Sequence, residues 1–377
     1  MKLIDRLRRD FPDLDVIPQR CIIAGGAVRD ALLDRPSADL DLACSDPPEA
    51  ARAFASRTGG KRVTLGTRFQ TERVIVRSVT YDFSPIQGES IEVDLARRDF
   101  TINAIALRPD GSLIDPFDGR RDLENRIVRM VAEANLAEDP LRVLRAARMS
   151  GMFGFRLDPH TADAAANLSG SVTTVAPERI TGELRLVLGA RHGRRGGEEM
   201  RRLELDSHLL GFELTPHHLD RWEKLQRKTS DDEERLILVL SMLLAEQEDA
   251  RAPVLDRWNW KRDELRSIRD ILEILDSTRL KNDLLELTAA ERGRLATDRA
   301  ERIARAVERN ESAKRLDAIL TADPFDIEPL LDGHDIARLT GARGEEIGRL
   351  KRRLWEAQVL GDVSTRDDAI EYLRGQS

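Results

Sequence analysis

Asp39 and Asp41 flank Leu40, a short distance beyond the pair Gly25-Gly26. On a strand, side chains at i and i+2 point to the same face, so these two carboxylates project together with Leu40 buried behind them. Glycines in a turn let backbone N–H groups come close to phosphate oxygens. Two carboxylates beside such a turn suit a hard divalent cation and a nucleoside triphosphate. The chemistry this serves is in-line displacement at phosphorus, with metal stabilising the attacking and leaving oxygens. An isolated Asp-x-Asp is most often a solvated strand end, and the flanking residues give this one its weight. Residues 20–24 are a short apolar run ending at the glycines, and residues 27–33 can form a helix with Arg29 and Asp30 near its start. Strand, glycine turn, helix and second strand bring an anion-binding helix start beside the carboxylates.

Three more stretches carry groups for the same chemistry. Residues 97–104 hold Arg97, Arg98, Asp99 and Asn103 ahead of an apolar run. The arginines can contact phosphates or stack on a base, Asp99 can accept from sugar hydroxyls or cap a helix, and Asn103 can reach ribose or phosphate. Residues 138–148 begin with Asp139-Pro140, a good helix start, and place Arg142, Arg145 and Arg148 at intervals of three along one helix flank. Asp139 and Arg142 together offer an acceptor beside a fork of donors. That pair matches the Watson–Crick edges of cytosine and adenine, whereas uracil and guanine present a carbonyl where the carboxylate needs a donor. A base can thus be chosen by protein alone, without a template. Glu178 and Arg179 begin a further helix and are expected to brace the arginine helix. The turn at 115–123, with Pro116 and Gly119, needs only a structural reading. His217, His218 and Asp220 suggest a metal hydrolase, but the second His-Asp element such a site needs is missing; His334-Asp335 lies far along the chain.

Elements must be long enough to hold these groups in place. With 377 residues there is room for two or three domains. Strand signals fall at 20–24, 38–43, 61–65, 72–79, 90–94 and 112–114, and they stop after 128. Helical periodicity takes over at 138–153, 160–168, 177–190, 231–247, 262–276, 296–320 and 345–358, with joints expected at 193–197 and 323–333. The fold class is therefore an α/β head followed by a long all-helical region. A net charge of −7 announces no global affinity for nucleic acid, but the arginines of 142–148 and 191–202 form local basic stripes, which matter more to phosphate binding. Cys21 and Cys44 have no zinc spacing, and two thiols make no disulfide framework, so a reducing cytoplasm is the simplest compartment. No run approaches the ~20 apolar residues of a membrane span, and the first ten residues lack the apolar core of a signal peptide.

The ordered set of Gly25-Gly26-x-x-Arg29-Asp30, Asp39-x-Asp41, Arg97 to Asn103, the 115–123 turn, Glu138-Asp139-x-x-Arg142 and Glu178-Arg179 closely resembles the class II tRNA nucleotidyltransferase and bacterial poly(A) polymerase family of the polymerase β superfamily. The resemblance spans residues 25–184 and extends to the segment 331–348. It implies a nucleotidyltransferase head over 1–130, a helical neck with base recognition over 131–200, and tRNA-binding body and tail over 201–322 and 323–377. It implies Mg²⁺ on Asp39 and Asp41, with Asp82 the nearest candidate for a third carboxylate. Gly25, Gly26, Arg29, Arg98, Asp99 and Asn103 would hold the nucleotide, with Asp139 and Arg142 reading its base and Arg145 and Arg148 beside them. The implied substrates are a tRNA lacking its 3′ end and CTP, with ATP as the other possible donor. Two departures from the family pattern stand out. Asp118 occupies the place of a glycine in the 115–123 turn, which aspartate's tolerance of left-handed backbone should permit. The segment 84–93 is short where members that add the terminal A carry a longer flexible loop. The resemblance therefore points to a member that adds CC and relies on a separate A-adding enzyme. The mildly acidic stretch 362–377 is unlike the basic extension of poly(A) polymerases.

Overall fold

The computed structural model describes residues 3–65, 71–229, 231–269, 271–272, 330–360 and 363–374. The expected helix at 296–320, the end of the one at 262–276 and most of the joint at 323–333 lie outside these residues. The chain divides into two compact units, residues 1–187 with 192–213, and residues 188–191 with 214–377.

The first unit opens with α1 (Leu3–Asp10), β1 (Cys21–Ala24), α2 (Gly26–Leu32), β2 (Asp39–Cys44) and α3 (Pro47–Thr58). Helix α3 shows why the chain turns where it does. Asp46 accepts from the Glu49 N–H at its start, Pro47 follows as first helical residue, and Gly59 closes it at φ +70°. Three strands follow, β3 (Lys61–Leu65), β4 (Thr71–Val76) and β5 (Val79–Pro85). Next come α4 (Ile91–Ala96), β6 (Ala106–Leu107), β7 (Leu113–Ile114), α5 (Gly119–Asn125) and β8 (Ile127–Val128). The seven-stranded sheet has the order β3-β4-β5-β2-β1-β6-β7, with β2 and β5 parallel and the other pairs antiparallel.

Alternation along β2 gives the sheet its two characters. Leu40 and Leu42 are buried while Asp39 and Asp41 are exposed. The apolar face continues through Val74, Tyr81 and Phe83, and Phe54 of α3 packs against both aromatic rings. The opposite face is covered where Ala24, Ala43, Ala104 and Ala106 meet Ile91 and Leu95 of α4. Asp39, Asp41 and Asp82 belong to this second face.

Beyond β8 the first unit is mainly helical: α6 (Glu133–Glu138), α7 (Leu141–Phe153), α8 (Pro159–Leu168), α9 (Pro177–Leu188), α10 (Gly193–Arg202) and α11 (Leu205–Leu210). Helix α7 buries Val143, Leu144, Ala146, Ala147 and Met149. The second unit holds α12 (Pro216–Lys228), α13 (Asp232–Ala245) and α14 (Glu248–Arg257), then helices at Gly333–Thr340, Glu345–Leu360 and Arg366–Arg374. Helix α13 is buried from Arg235 to Ala245. Arg235 is tolerated there because it donates to the Gly189 and Thr229 carbonyls and pairs with Asp232. Among the described residues, no helix is long and apolar enough to cross a membrane.

Several sequence expectations are corrected. Residues 90–94 form the start of α4 rather than a strand: the Ser90 hydroxyl accepts from the Val93 N–H and starts a helix. Strand structure does not end at 128, because β9 (Arg156–Leu157) pairs in parallel with β8. The glycines at 193–197 lie inside α10 instead of forming a joint, and Gly196 packs against Gly151 of α7, where a larger side chain would press on backbone. Cys21 and Cys44 are not two free thiols. The antiparallel register sets them directly opposite each other, with Cα atoms 4.4 Å apart, and they are joined as a disulfide.

Candidate active site

The glycine turn sits at the end of β1. Gly25 has φ +83°, a conformation few other residues adopt, and a Cβ there would collide with the Arg98 guanidinium. Its N–H donates to the Ile105 carbonyl. Helix α2 begins at once, and its Arg29 is buried under the turn. Arg29 donates to both Asp30 oxygens (2.9 and 3.0 Å) and to the Asn103 side-chain oxygen (2.6 Å), with its guanidinium 4.7 Å from the centre of the Phe153 ring.

From Asn103 a polar chain runs through the unit. The Asn103 amide and the Phe100 N–H donate to Asp99 Oδ1 at 2.9 and 2.8 Å, and Asp99 Oδ2 pairs with Arg145 at 2.9 Å. Arg145 approaches Glu183, which pairs with Arg148 at 3.0 Å. Burial pushes the Asp99 carboxyl up, but Arg145, Asn103, the Phe100 N–H and Arg142 together hold it below the ordinary range. At the other end burial prevails. It lowers Arg148 despite Glu183, and it raises Glu183 despite Arg148 and Arg145.

The carboxylates lie beside this chain. Protein packed around the base of Asp41 pushes its carboxyl up, the Arg98 charge pulls it back, Asp82 and Asp39 push it up again, and Arg29 opposes them. Arg98 itself pairs with Asp94 at 3.3 Å and donates to the Asn103 carbonyl at 3.3 Å. Asp82 lies next to Asp41 in the parallel β2–β5 pair. Among the described residues, no three acidic, histidine or cysteine side chains are already grouped to enclose an ion. Asp39 and Asp41 instead form an open pair of hard oxygen donors on one face of β2. A divalent cation that keeps water or phosphate oxygens fits such a pair.

On the helical side, Asp139 Oδ2 pairs with Arg179 at 2.7 Å, and Asp139 Oδ1 accepts from the Leu141 N–H. Arg142 donates through Nη1 to the Asn135 carbonyl at 3.0 Å. Asn135 in turn donates to the carbonyls of Ala96 and Arg98, fastening α6 to the Arg97–Asn103 segment. Arg97 reaches Glu138 at 3.1 Å. Glu178 is exposed at the first turn of α9 and is not drawn into this network. Glu183, one turn further on and not singled out in the sequence, is the acid that meets Arg145 and Arg148. Its only signal was its position inside a helix already expected to face the arginines. His218 caps α12 by exchanging hydrogen bonds with Thr215, which accounts for it without a metal. In the 115–123 turn, Asp115 accepts from the Gly119 and Arg120 N–H groups, and Asp118 adopts φ +54°. A Cβ on Gly119 would meet the Thr101 carbonyl, so the turn holds the floor of the site in place.

Comparison with known proteins matches residues 21–91 and 81–129 to the family described as Poly A polymerase head domain. Residues 154–216 match the family described as probable RNA and SrmB-binding site of polymerase A. The chain is 33% identical to the A-adding tRNA nucleotidyltransferase of Deinococcus radiodurans, across 97% of this chain and 98% of that one. It is 43% identical to the CC-adding tRNA nucleotidyltransferase of Synechocystis, across 50% of this chain and 46% of that one, so that match spans about half of each. In fold it is similar to the Thermotoga maritima CCA-adding enzyme complexed with tRNA, with a TM-score of 0.71, 21% identity, and coverage of 100% of this chain and 98% of that one.

Proposed function

The chain belongs to the tRNA nucleotidyltransferases, and from that premise we propose that it transfers CMP from CTP to a tRNA lacking its 3′ end, adding two cytidines and releasing pyrophosphate. The observation that carries this reading is the placement of Asp39 and Asp41 on one strand face beside the Gly25-Gly26 turn and Arg98. In this reading Asp39 and Asp41 hold Mg²⁺, which when bound supplies Lewis acidity at the reacting phosphate and lowers the charge repulsion facing the 3′-hydroxyl. The turn at Gly25 and Gly26 admits the triphosphate close to backbone N–H groups. Arg98 is the cation nearest that approach. Arg29, Asn103 and Asp99 act through one another, fixing the turn, the arginine segment and Arg145 in one geometry.

Base choice is assigned to Asp139 and Arg142 at the start of α7. Arg179 anchors one Asp139 oxygen, and the Asn135 carbonyl anchors one nitrogen of Arg142, so both are pre-oriented before a nucleotide arrives. Arg145 and Arg148 carry positive charge behind them, neutralised by Asp99 and Glu183. The tRNA would be held by segments beyond the head.

The restriction to CC rests on one local feature. Only residues 86–90 separate the end of β5 from α4, and that link is tied down by the Gln87 N–H, which donates to Asp94 at 3.0 Å. A link this short has little freedom to reshape the base pocket between CTP and ATP. Addition of the final A would then fall to a separate enzyme. A second reading, addition of A alone, is favoured by the end-to-end likeness to an A-adding relative. Full CCA addition is the third possible outcome.

Purified protein is incubated with Mg²⁺, CTP or ATP singly and together, and tRNA ending either before the CCA or after CC. Two added cytidines and no A support the proposal. A single A added only to the CC-ended tRNA supports the second reading, and three residues support full CCA addition. No extension with any nucleotide refutes the enzymatic assignment of the site. Asp39→Ala should abolish extension while leaving tRNA binding nearly intact. Arg142→Ala should admit wrong nucleotides; unchanged selectivity removes Arg142 from base reading.

A further inference from the structure

Arg73 has no part in the functional reading so far, yet it stands at the acid cluster. It lies opposite Asp82 in the antiparallel β4–β5 pair, and Asp82 lies beside Asp41 in the parallel β5–β2 pair. Directly paired residues share a sheet face, so Arg73, Asp82 and Asp41 form one row across three strands, with Asp39 on the same face of β2. The Arg73 guanidinium grips Asp82 with both arms, Nε to Oδ1 at 2.8 Å and Nη2 to Oδ2 at 2.7 Å. Each oxygen of the third acid therefore already accepts a hydrogen bond from Arg73. Like charges set directly opposite on neighbouring strands are destabilising, and Asp41 beside Asp82 is such a pair. Arg73 is the cation that borders them from β4, as Arg98 and Arg29 do from the other side. Its side chain remains 38% exposed against 16% for Asp82, so it has room to withdraw.

We propose that Arg73 is the built-in counter-ion of the acid row: it holds Asp82 beside Asp41 while no metal is bound, and a divalent cation must compete with it for Asp82. The proposal rests on the reading of Asp39 and Asp41 as a cation site. It makes Arg73 a positioning residue that acts through Asp82. Removing its charge has two opposed consequences. The metal-free acid row is left with uncompensated repulsion, and a cation entering the site meets one positive charge fewer and a carboxylate with free oxygens.

The test is Mn²⁺ titration of the full chain by electron paramagnetic resonance, without nucleotide, for the wild type, Arg73→Gln, Arg73→Lys and Asp39→Ala. Arg73→Gln should bind Mn²⁺ about tenfold more tightly than wild type, the scale expected for removing one nearby charge at a partly solvated site. Arg73→Lys keeps the charge but not the two-armed grip, and should tighten binding by only about two- to threefold. Thermal unfolding provides the second reading. Arg73→Gln should melt below wild type in chelator and recover most of the difference in saturating Mn²⁺, whereas a purely structural loss would persist with metal. Unchanged or weaker Mn²⁺ binding by a folded Arg73→Gln protein overturns the proposal. If Arg73→Gln does not fold, Arg73→Lys decides it in the same way. Absence of Mn²⁺ binding in the wild type, or full binding by Asp39→Ala, overturns the cation site itself, a different result from a failed Arg73 effect.

Discussion

Glu183→Gln is the most informative single change in the polar chain. Glu183 and Arg148 are 3.0 Å apart with side chains only 13% and 14% exposed, so solvent screens the pair little. Burial drives both groups toward neutrality against the pull of their partners. The pair is thus costly to bury, and each member is tolerated because the other is present. Removing one charge from such a pair costs about 3–5 kcal/mol. Glutamine keeps an acceptor for Arg148, so the lower end, about 3 kcal/mol, is expected. The pair belongs to a unit of roughly 200 residues, for which that loss lowers Tm by roughly 6–12 °C. Arg148→Met should cost a similar amount, for the mirror-image reason. The double variant Glu183→Gln with Arg148→Met leaves no orphan charge at this pair and should be more stable than either single change, which with about 3 kcal/mol lost in each single requires a coupling of at least about 3 kcal/mol. Calorimetry is the suitable assay, because Trp222, Trp258, Trp260 and Trp355 all belong to the second unit and the first has no tryptophan of its own. Simple additivity of the two losses, with a coupling under about 0.5 kcal/mol, would refute the argument that mutual neutralisation is what keeps this pair buried.

Two further outcomes follow from the same network. Asp99 is held below the ordinary carboxylate range in the folded protein, while the unfolded chain returns it to about 3.9. Its stabilising contribution is therefore complete above that value and is lost as pH falls through the folded one; urea midpoints of wild type and Asp99→Asn should begin to converge only as pH falls below about 4, and a gap that stays constant into more acid solution contradicts the assignment. In the floor turn, Asp118→Gly relieves a left-handed aspartate at φ +54° and should change stability by no more than about 1 kcal/mol in either direction. Gly119→Ala drives a methyl into the Thr101 carbonyl and should cost at least about 2 kcal/mol by the same measurement; a neutral Gly119→Ala would show that the contact is relieved cheaply.

What could be read from the chain in advance divides by distance along it. Asp39 and Asp41 were legible because the two-residue repeat of a strand is written into their spacing, and Leu40 between them confirms the buried face. The apolar run before Gly25 and the helix after it were legible for the same reason. Residues 90–94 read as a strand because Ile91 and Val93 alternate; the deciding information is the Ser90 hydroxyl, which a periodicity count ignores. Of the two-residue strands, β7 falls on the strand signal at 112–114, whereas β6, β8 and β9 are too short to have a period at all.

Register, by contrast, is written nowhere locally. Cys21 and Cys44 look like separate buried thiols until β1 and β2 are laid side by side, and the pairing then puts one directly across from the other. Asp82 was a weak candidate from its sequence position, and becomes the neighbour of Asp41 only because β2 and β5 run parallel. Arg73, a lone arginine in a β-branched run, reads from sequence as a solvated strand position. The same parallel pairing explains why it is there. Bringing β2 against β5 places two carboxylates side by side, and the next strand over must answer that charge. Arg73 on β4 does so from the position opposite Asp82, so the acid row and its counter-ion arise together from one choice of strand order.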